Sequence, residues 1–323
     1  MRSSPTSPAL TELSTHPVRT SSLSRAILRE LRPKQWLKNG LLFFGLVYAL
    51  HVFNVPLVTR ALIAFAAFCL ISSAGYVFND LRDVELDRLH PTKRFRPIAA
   101  GLIPKPAASA LAIALFLGGF GLAFTLGIPF LLCCLAYLVI TASYSLWWKH
   151  VVLLDVFCIA AGFVVRAVAG AVAVGVPISP WLYVCTVLGS LVIALGKRRA
   201  EILGMEDDAE AHRPALEHYT VAFLDHLVVI TATASLMAYS LYTFSAENVP
   251  RNHMMMITIP IVLYGIFRYL FLLMVRGTGG SPEDLLLGDR SMMVAVVLFL
   301  LLSAGILYWG SGFGTLVMPL TQR

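Results

Sequence analysis

Long apolar runs separated by short charged segments fill the chain from about residue 39 to residue 313. Reading each run against its charge breaks predicts nine spans, at about 39–55, 58–79, 106–126, 128–147, 150–174, 180–196, 221–244, 254–275 and 291–313. The runs are continuous and about 20 residues long, which is helical rather than barrel patterning. The fold class that follows is all-α, a polytopic membrane protein of about nine transmembrane helices. Upstream, residues 1–22 are rich in Ser, Thr and Pro and lack the apolar core of a signal peptide, so they read as a disordered tail. From Leu23 the pattern becomes amphipathic. Ser24 is a candidate cap for a helix over about 24–35, with Ile27, Leu28 and Leu31 on one side and Arg25 and Arg29 on another. Such a helix would lie along the headgroups, and residues 23–323 form one transmembrane domain.

Composition agrees and adds a sidedness. Hydrophobic residues make up 58% of the 323, charged residues only 13%, and no soluble domain of this size is so poor in charge. With a cytoplasmic N-terminus, the N-terminal segment and the even-numbered loops hold 20 of the 25 Lys and Arg. The positive-inside rule then puts the polar chemistry on the cytoplasmic face of a plasma membrane and the C-terminus outside. The basic excess serves topology and an anionic ligand, with no nucleic acid as partner. The five cysteines all lie inside apolar runs without metal or redox spacing, and the eight histidines form no HExxH-type pair.

The densest chemistry follows the second run, in Asn79-Asp80-Leu81-Arg82-Asp83-Val84-Glu85-Leu86-Asp87. On one continuous helix Asp80, Asp83 and Asp87 fall within an arc of about 60°, with Glu85 opposite. Three carboxylates on one face repel unless a cation joins them, and oxygen donors at a lipid boundary suit Mg2+, with Mn2+ as a substitute. Pro91 should end that helix. Lys93, Arg94 and Arg96 then crowd the acids, and between Asp80 and Lys105 six basic residues meet four acidic ones. That excess favours an anionic ligand.

Further candidates lie on the same side. Lys34 and Lys38 are four apart and share a helical face that can meet phosphate, whereas Arg32 and Trp36 are explained as an interfacial anchor. Tyr144 and Lys149 close the fourth span, where Trp147 and Trp148 read as aromatic belt. Asp155, at the start of the fifth span, can position a substrate group. Lys197, Arg198 and Glu201 follow the sixth span, with an i,i+4 pair between Lys197 and Glu201 as the plain structural reading. Arg166 sits deeper and is best explained by structural pairing, while Arg268 either snorkels or reaches lipid phosphate. The run 206–210 is a solvated acidic loop, residues 281–284 look like a helix start, and Asp289 and Arg290 can pair locally.

Asn79-Asp80-x-x-Asp83-x-x-x-Asp87 after the second span, followed by Arg96-Pro97-Ile98-Ala99-x-Gly101, resembles the UbiA superfamily of intramembrane transferases from Arg32 to the ninth span. The resemblance implies a UbiA-like helical bundle open to the cytoplasm and laterally to lipid, with Asp80, Asp83 and Asp87 holding Mg2+ and a diphosphate. It departs from the aromatic prenyltransferases where they carry a second Asp-rich motif, because that position reads Lys197-Arg198-Arg199-Ala200-Glu201. With Arg32-Pro33-x-Gln35-Trp36-x-Lys38-Asn39 and His90-Pro91-Thr92-Lys93-Arg94-Phe95-Arg96, the chain looks like the branch that moves 5-phosphoribose from phosphoribosyl diphosphate to a polyprenyl phosphate. That likeness implies Asn39 and Asn79 as substrate contacts and basic residues at both phosphate ends. Glu201 would touch the ribose hydroxyls or orient Lys197. An aromatic prenyltransferase is the alternative enzyme and a transporter or scaffold the alternative of another class. Helix-packing faces leave a homo-oligomer open.

Overall fold

The computed structural model describes residues 23–205, 218–247, 249–277, 285 and 288–317, the side chains of 205 and 311–317 excepted. The tail 1–22, the acidic loop 206–210 and the helix start at 281–284 lie outside the described residues. Every long described element is a helix: α1 Leu23–Glu30, α2 Phe44–Tyr48, α3 Val55–Arg82, α4 Val84–Leu89, α5 Lys105–Thr125, α6 Ile128–Leu146, α7 Leu154–Val174, α8 Pro180–Met205, α9 Val221–Ser245, α10 Ile259–Met274 and α11 Arg290–Val317. Eight helical segments among the described residues are long and apolar enough to cross a membrane.

Seven of the predicted spans correspond closely to helices α3, α5, α6, α7, α9, α10 and α11; the other two depart in informative ways. The first, at 39–55, is a 3-10 helix Pro33–Phe43 running into the short α2. Residues Ala49 to Asn54 then turn, with Leu50 at φ 62, and Asn54 caps α3 by accepting from the Leu57 N–H. The compact segment lies against α7 backbone to backbone. A Cβ on Gly170 would come within 2.1 Å of the Leu42 carbonyl oxygen, and one on Gly45 within 2.8 Å of the Ala171 Cα. The sixth span runs on from 196 to Met205. Its basic cluster does not end the helix because Arg198 and Arg199 each meet a carboxylate, Asp155 and Asp225.

Helix α3 is the central strut. Its Phe68 and Ile71 pack with Phe130, Cys134 and Tyr137 of α6 and Ala169 of α7, and Gly119 of α5 lies so close that an added Cβ would strike Ile71. A second core joins α7 to α8, α9 and α10 through Val156, Leu195, Leu224 and Leu273. At one end of the bundle Arg60 donates to the carbonyls of Ala173 (2.6 Å) and Leu126. The start of α3 thus sits beside the end of α7. Antiparallel packing then carries Asp80 on α3 and Asp155 on α7 to the same opposite end. Leu117 on α5, Val139 on α6, Ile230 on α9 and Leu301 on α11 are exposed, the arrangement of helices facing acyl chains.

Candidate active site

Asp80 and Asp87 are buried at the end of α3 and on α4. One guanidinium nitrogen of Arg96 donates to both, at 3.0 Å to Asp80 and 2.7 Å to Asp87. Arg32 takes the other Asp80 oxygen at 2.5 Å and lies over the Tyr76 ring. The sequence folds this way for local reasons. His90 is extended before Pro91, the chain turns back at Gly101 with φ 75, and Arg88 donates to the Ala99 carbonyl. On the other flank, Trp36 donates to Ser73 and Ser73 to the Leu31 carbonyl, tying the N-terminal segment to α3.

The expected face of three aspartates is corrected at Asp83. The helix breaks there, so the arithmetic for one continuous helix stops applying. Asp83 is 37% exposed and pairs with Arg82. Its place beside Asp80 is taken by Glu30 of α1, a residue the sequence reading passed over. Glu30 is 1% exposed and neither of its carboxylate oxygens has a hydrogen-bond donor. Burial pushes its carboxyl up to about 8, and the charge of Asp80 acts in the same direction. Arg32 was also assigned only an anchoring role, yet it is an ion partner of the motif. Its signal was its position two residues after a buried acid, which no periodicity reveals.

The remaining cations are distributed unevenly. Lys93 is half-buried, while Arg94 is exposed and lies over the Phe95 ring. Asn79 is half-buried, and its carbonyl accepts from the Asp83 N–H. Lys34 and Lys38 do not share a face. The 3-10 helix repeats every three residues, so a spacing of four is about a third of a turn out, and Lys38 instead donates to Gln35 at 2.6 Å. Asn39 is corrected as well: it is fully buried, donates to Cys69 and Ser72, and accepts from Arg166 at 2.8 Å. Arg166 completes its set with the Gly162 carbonyl and the Tyr137 hydroxyl. This pair braces the interior and is closed to a substrate.

A second polar cluster closes the same end of the bundle. Arg198 is 1% exposed and donates to Asp155, to Glu201 and, at 2.7 Å, to the Tyr144 hydroxyl. Tyr219 donates to Asp155 at 2.8 Å and accepts from the Leu153 N–H at 2.6 Å. The guanidinium is fully engaged, which corrects its reading as a direct phosphate contact. Lys197 is 40% exposed and 3.9 Å from Glu201, the expected i,i+4 pair, and Lys149 lies half-buried in the turn Trp148–His150. Arg268 reaches neither solvent nor lipid phosphate alone. It holds Asp289 through two nitrogens at 3.1 and 2.7 Å, which keeps that carboxyl low, at about 2.

Among the described residues no three His, Cys, Asp or Glu side chains already converge as a metal shell. The oxygen donors within the first cluster are Asp80, Asp87 and the orphaned Glu30. A divalent cation fits them once the guanidinium groups move onto an incoming anion.

The sequence profile of the UbiA prenyltransferase family matches residues 40–280. The chain belongs to this family. Within it, a decaprenyl-phosphate phosphoribosyltransferase of Corynebacterium glutamicum is 38% identical over 84% of this chain and 84% of its own length. The enzyme of the same name from Mycobacterium tuberculosis H37Rv is 34% identical over 85% of this chain and 91% of its own. A solved UbiA homolog from Archaeoglobus fulgidus, bound to GPP and Mg2+, superposes with a TM-score of 0.66 at 19% identity, over 87% of this chain and 99% of its own. The UbiA fold expected from the aspartate motif is therefore present.

Proposed function

We propose that the chain transfers 5-phosphoribose from phosphoribosyl diphosphate to a polyprenyl phosphate, such as decaprenyl phosphate, releasing diphosphate. The observation that carries this reading is the second cluster. Where a prenyl-diphosphate enzyme needs further acids, this chain has Arg198 locked by Asp155 and Glu201, with Lys197 at the surface beside it. A donor with a diphosphate at one end and a phosphate at the other needs one metal-binding locus and a separate cationic one. The names of the similar bacterial enzymes agree with it.

Asp80 and Asp87 would hold Mg2+, Mn2+ being a substitute, with Asp83 joining through water. The metal would neutralise charge on the leaving diphosphate. The protein's own part is then explicit. Arg32 and Arg96 move from the aspartates to phosphate oxygens, and Asn79, Lys93 and Arg94 orient that end. Lys34, Lys38, Lys149 and Lys197 serve the 5-phosphate and the lipid phosphate, and Glu201 meets the ribose or steadies Lys197. The C1–oxygen bond to diphosphate breaks with its electron pair going to diphosphate, and a lipid phosphate oxygen bonds to C1. That nucleophile is already anionic, so no strong base is needed. The positive charge developing on the ribose is stabilised by fixed anions nearby. The site faces the cytoplasm of the plasma membrane, and the product serves as a pentose donor for cell-wall arabinan-type glycans.

The test is incubation of purified protein with Mg2+, decaprenyl phosphate and ribose-labelled phosphoribosyl diphosphate. Label in the lipid phase is the expected result. Its absence in folded protein that instead consumes an isoprenyl diphosphate would establish the aromatic prenyltransferase alternative.

A further inference from the structure

A buried carboxylate without a donor stabilises no fold by itself. Glu30 is such a group, 1% exposed with both oxygens unpartnered. It ends an eight-residue amphipathic helix whose other buried residue is Ala26, four positions earlier. The helix therefore turns one face inward and places an acid at the end of it. That acid lies against Asp80. Arg32 and Arg96 could neutralise it, but their nitrogens are spent on Asp80 and Asp87. Asp83, the motif's third acid, faces Arg82 at the surface. The cluster thus has an acid from α3, an acid from α4 and an oxygen pair from α1 waiting for positive charge.

From this geometry we infer that Glu30 is a direct ligand of the divalent cation held by Asp80 and Asp87, supplied by the N-terminal amphipathic helix from outside the aspartate motif. The inference rests on the reading of Asp80 and Asp87 as the metal site. It makes α1 part of the active site rather than only a membrane-surface anchor. Binding of the cation then ties α1 to the end of α3, and loss of the ligand weakens the metal before it touches the substrate.

The experiment is Mn2+ binding to the full chain in nanodiscs, followed by loss of the free-ion paramagnetic signal, with and without inorganic diphosphate. Glu30→Gln keeps the size and burial of the side chain. It should raise the Mn2+ dissociation constant at least tenfold at an unchanged melting temperature, and Glu30→Asp should fall between the two. An unchanged constant in Glu30→Gln overturns the inference. No Mn2+ bound by the wild type even with diphosphate present would instead bring down the metal reading of Asp80 and Asp87. Should the variants not fold, Fe2+ substituted into wild-type protein and driven with ascorbate and peroxide cuts the chain next to its ligands. Cleavage near residue 30 together with residues 80–87 is the supporting result, and cleavage at 80–87 alone overturns it.

Discussion

Arg96 is the residue on which the first cluster turns, because one of its nitrogens serves two buried aspartates from a loop rather than a helix. Arg96→Ala leaves Asp80 and Asp87 facing each other and removes a cation from the diphosphate. Turnover should fall by about a hundredfold or more, measured as lipid-phase label at saturating Mg2+. Asp80→Asn and Asp87→Asn should be as severe and should shift the Mg2+ dependence. Asp83→Asn should cost only about tenfold, since an exposed residue at the helix break acts through water. A kcat ranking with Asp83→Asn equal to the other two would contradict that order. At this scale the sequence was legible where chemistry was crowded: Asp80, Asp87 and Arg96 are named by their density. It was illegible for Asn39 and Glu30. An Asn beside a basic anchor looks solvent-facing, and an acid on an amphipathic helix looks like its wet side. Only the neighbours Arg166 and Asp80, far away in sequence, reverse both readings.

At the scale of elements, the decisive departure is the 3-10 helix ahead of α2. Apolar periodicity reports that a stretch is buried, but not the pitch of its backbone, so residues 39–55 read as an ordinary span. The pitch has consequences for which side chains coincide: Gln35 meets Lys38 three residues on, whereas Lys34 does not join Lys38. What selects the compact form in space is the glycine contact on α7. Gly170→Ala would set a methyl 2.1 Å from the Leu42 carbonyl. The two backbones must part, at a cost of about 1–3 kcal/mol, to be read as a lower melting temperature in detergent. Gly189→Ala, where nothing lies within 4 Å, is the control that should melt like the wild type. The helix break at Asp83 was equally hidden, because no Gly or Pro marks it in the sequence.

At the scale of the molecule, the Arg198–Asp155 pair joins the ends of α6, α7 and α8 to the start of α9 through Tyr144 and Tyr219. Removing one partner leaves a buried charge, so Arg198→Met alone should destabilise by roughly 3–5 kcal/mol. Arg198→Met with Asp155→Leu should recover most of that loss, while turnover stays low because Glu201 and Lys197 lose their support. Equal stability of the single and double variants would refute the pairing as the cause. The bundle itself was readable from hydropathy, but this link was not, since a basic cluster after a span looks like its cytoplasmic stop. The pair also bears on biogenesis. Asp155 leaves the ribosome 43 residues before Arg198 and 64 before Tyr219. At about 5–20 residues per second, the nascent α7 waits roughly 2–9 s for its cation. Until then a lone acid stands at the entrance of the translocon's lipid gate, and α7 becomes a settled transmembrane segment only when α8 arrives to claim it.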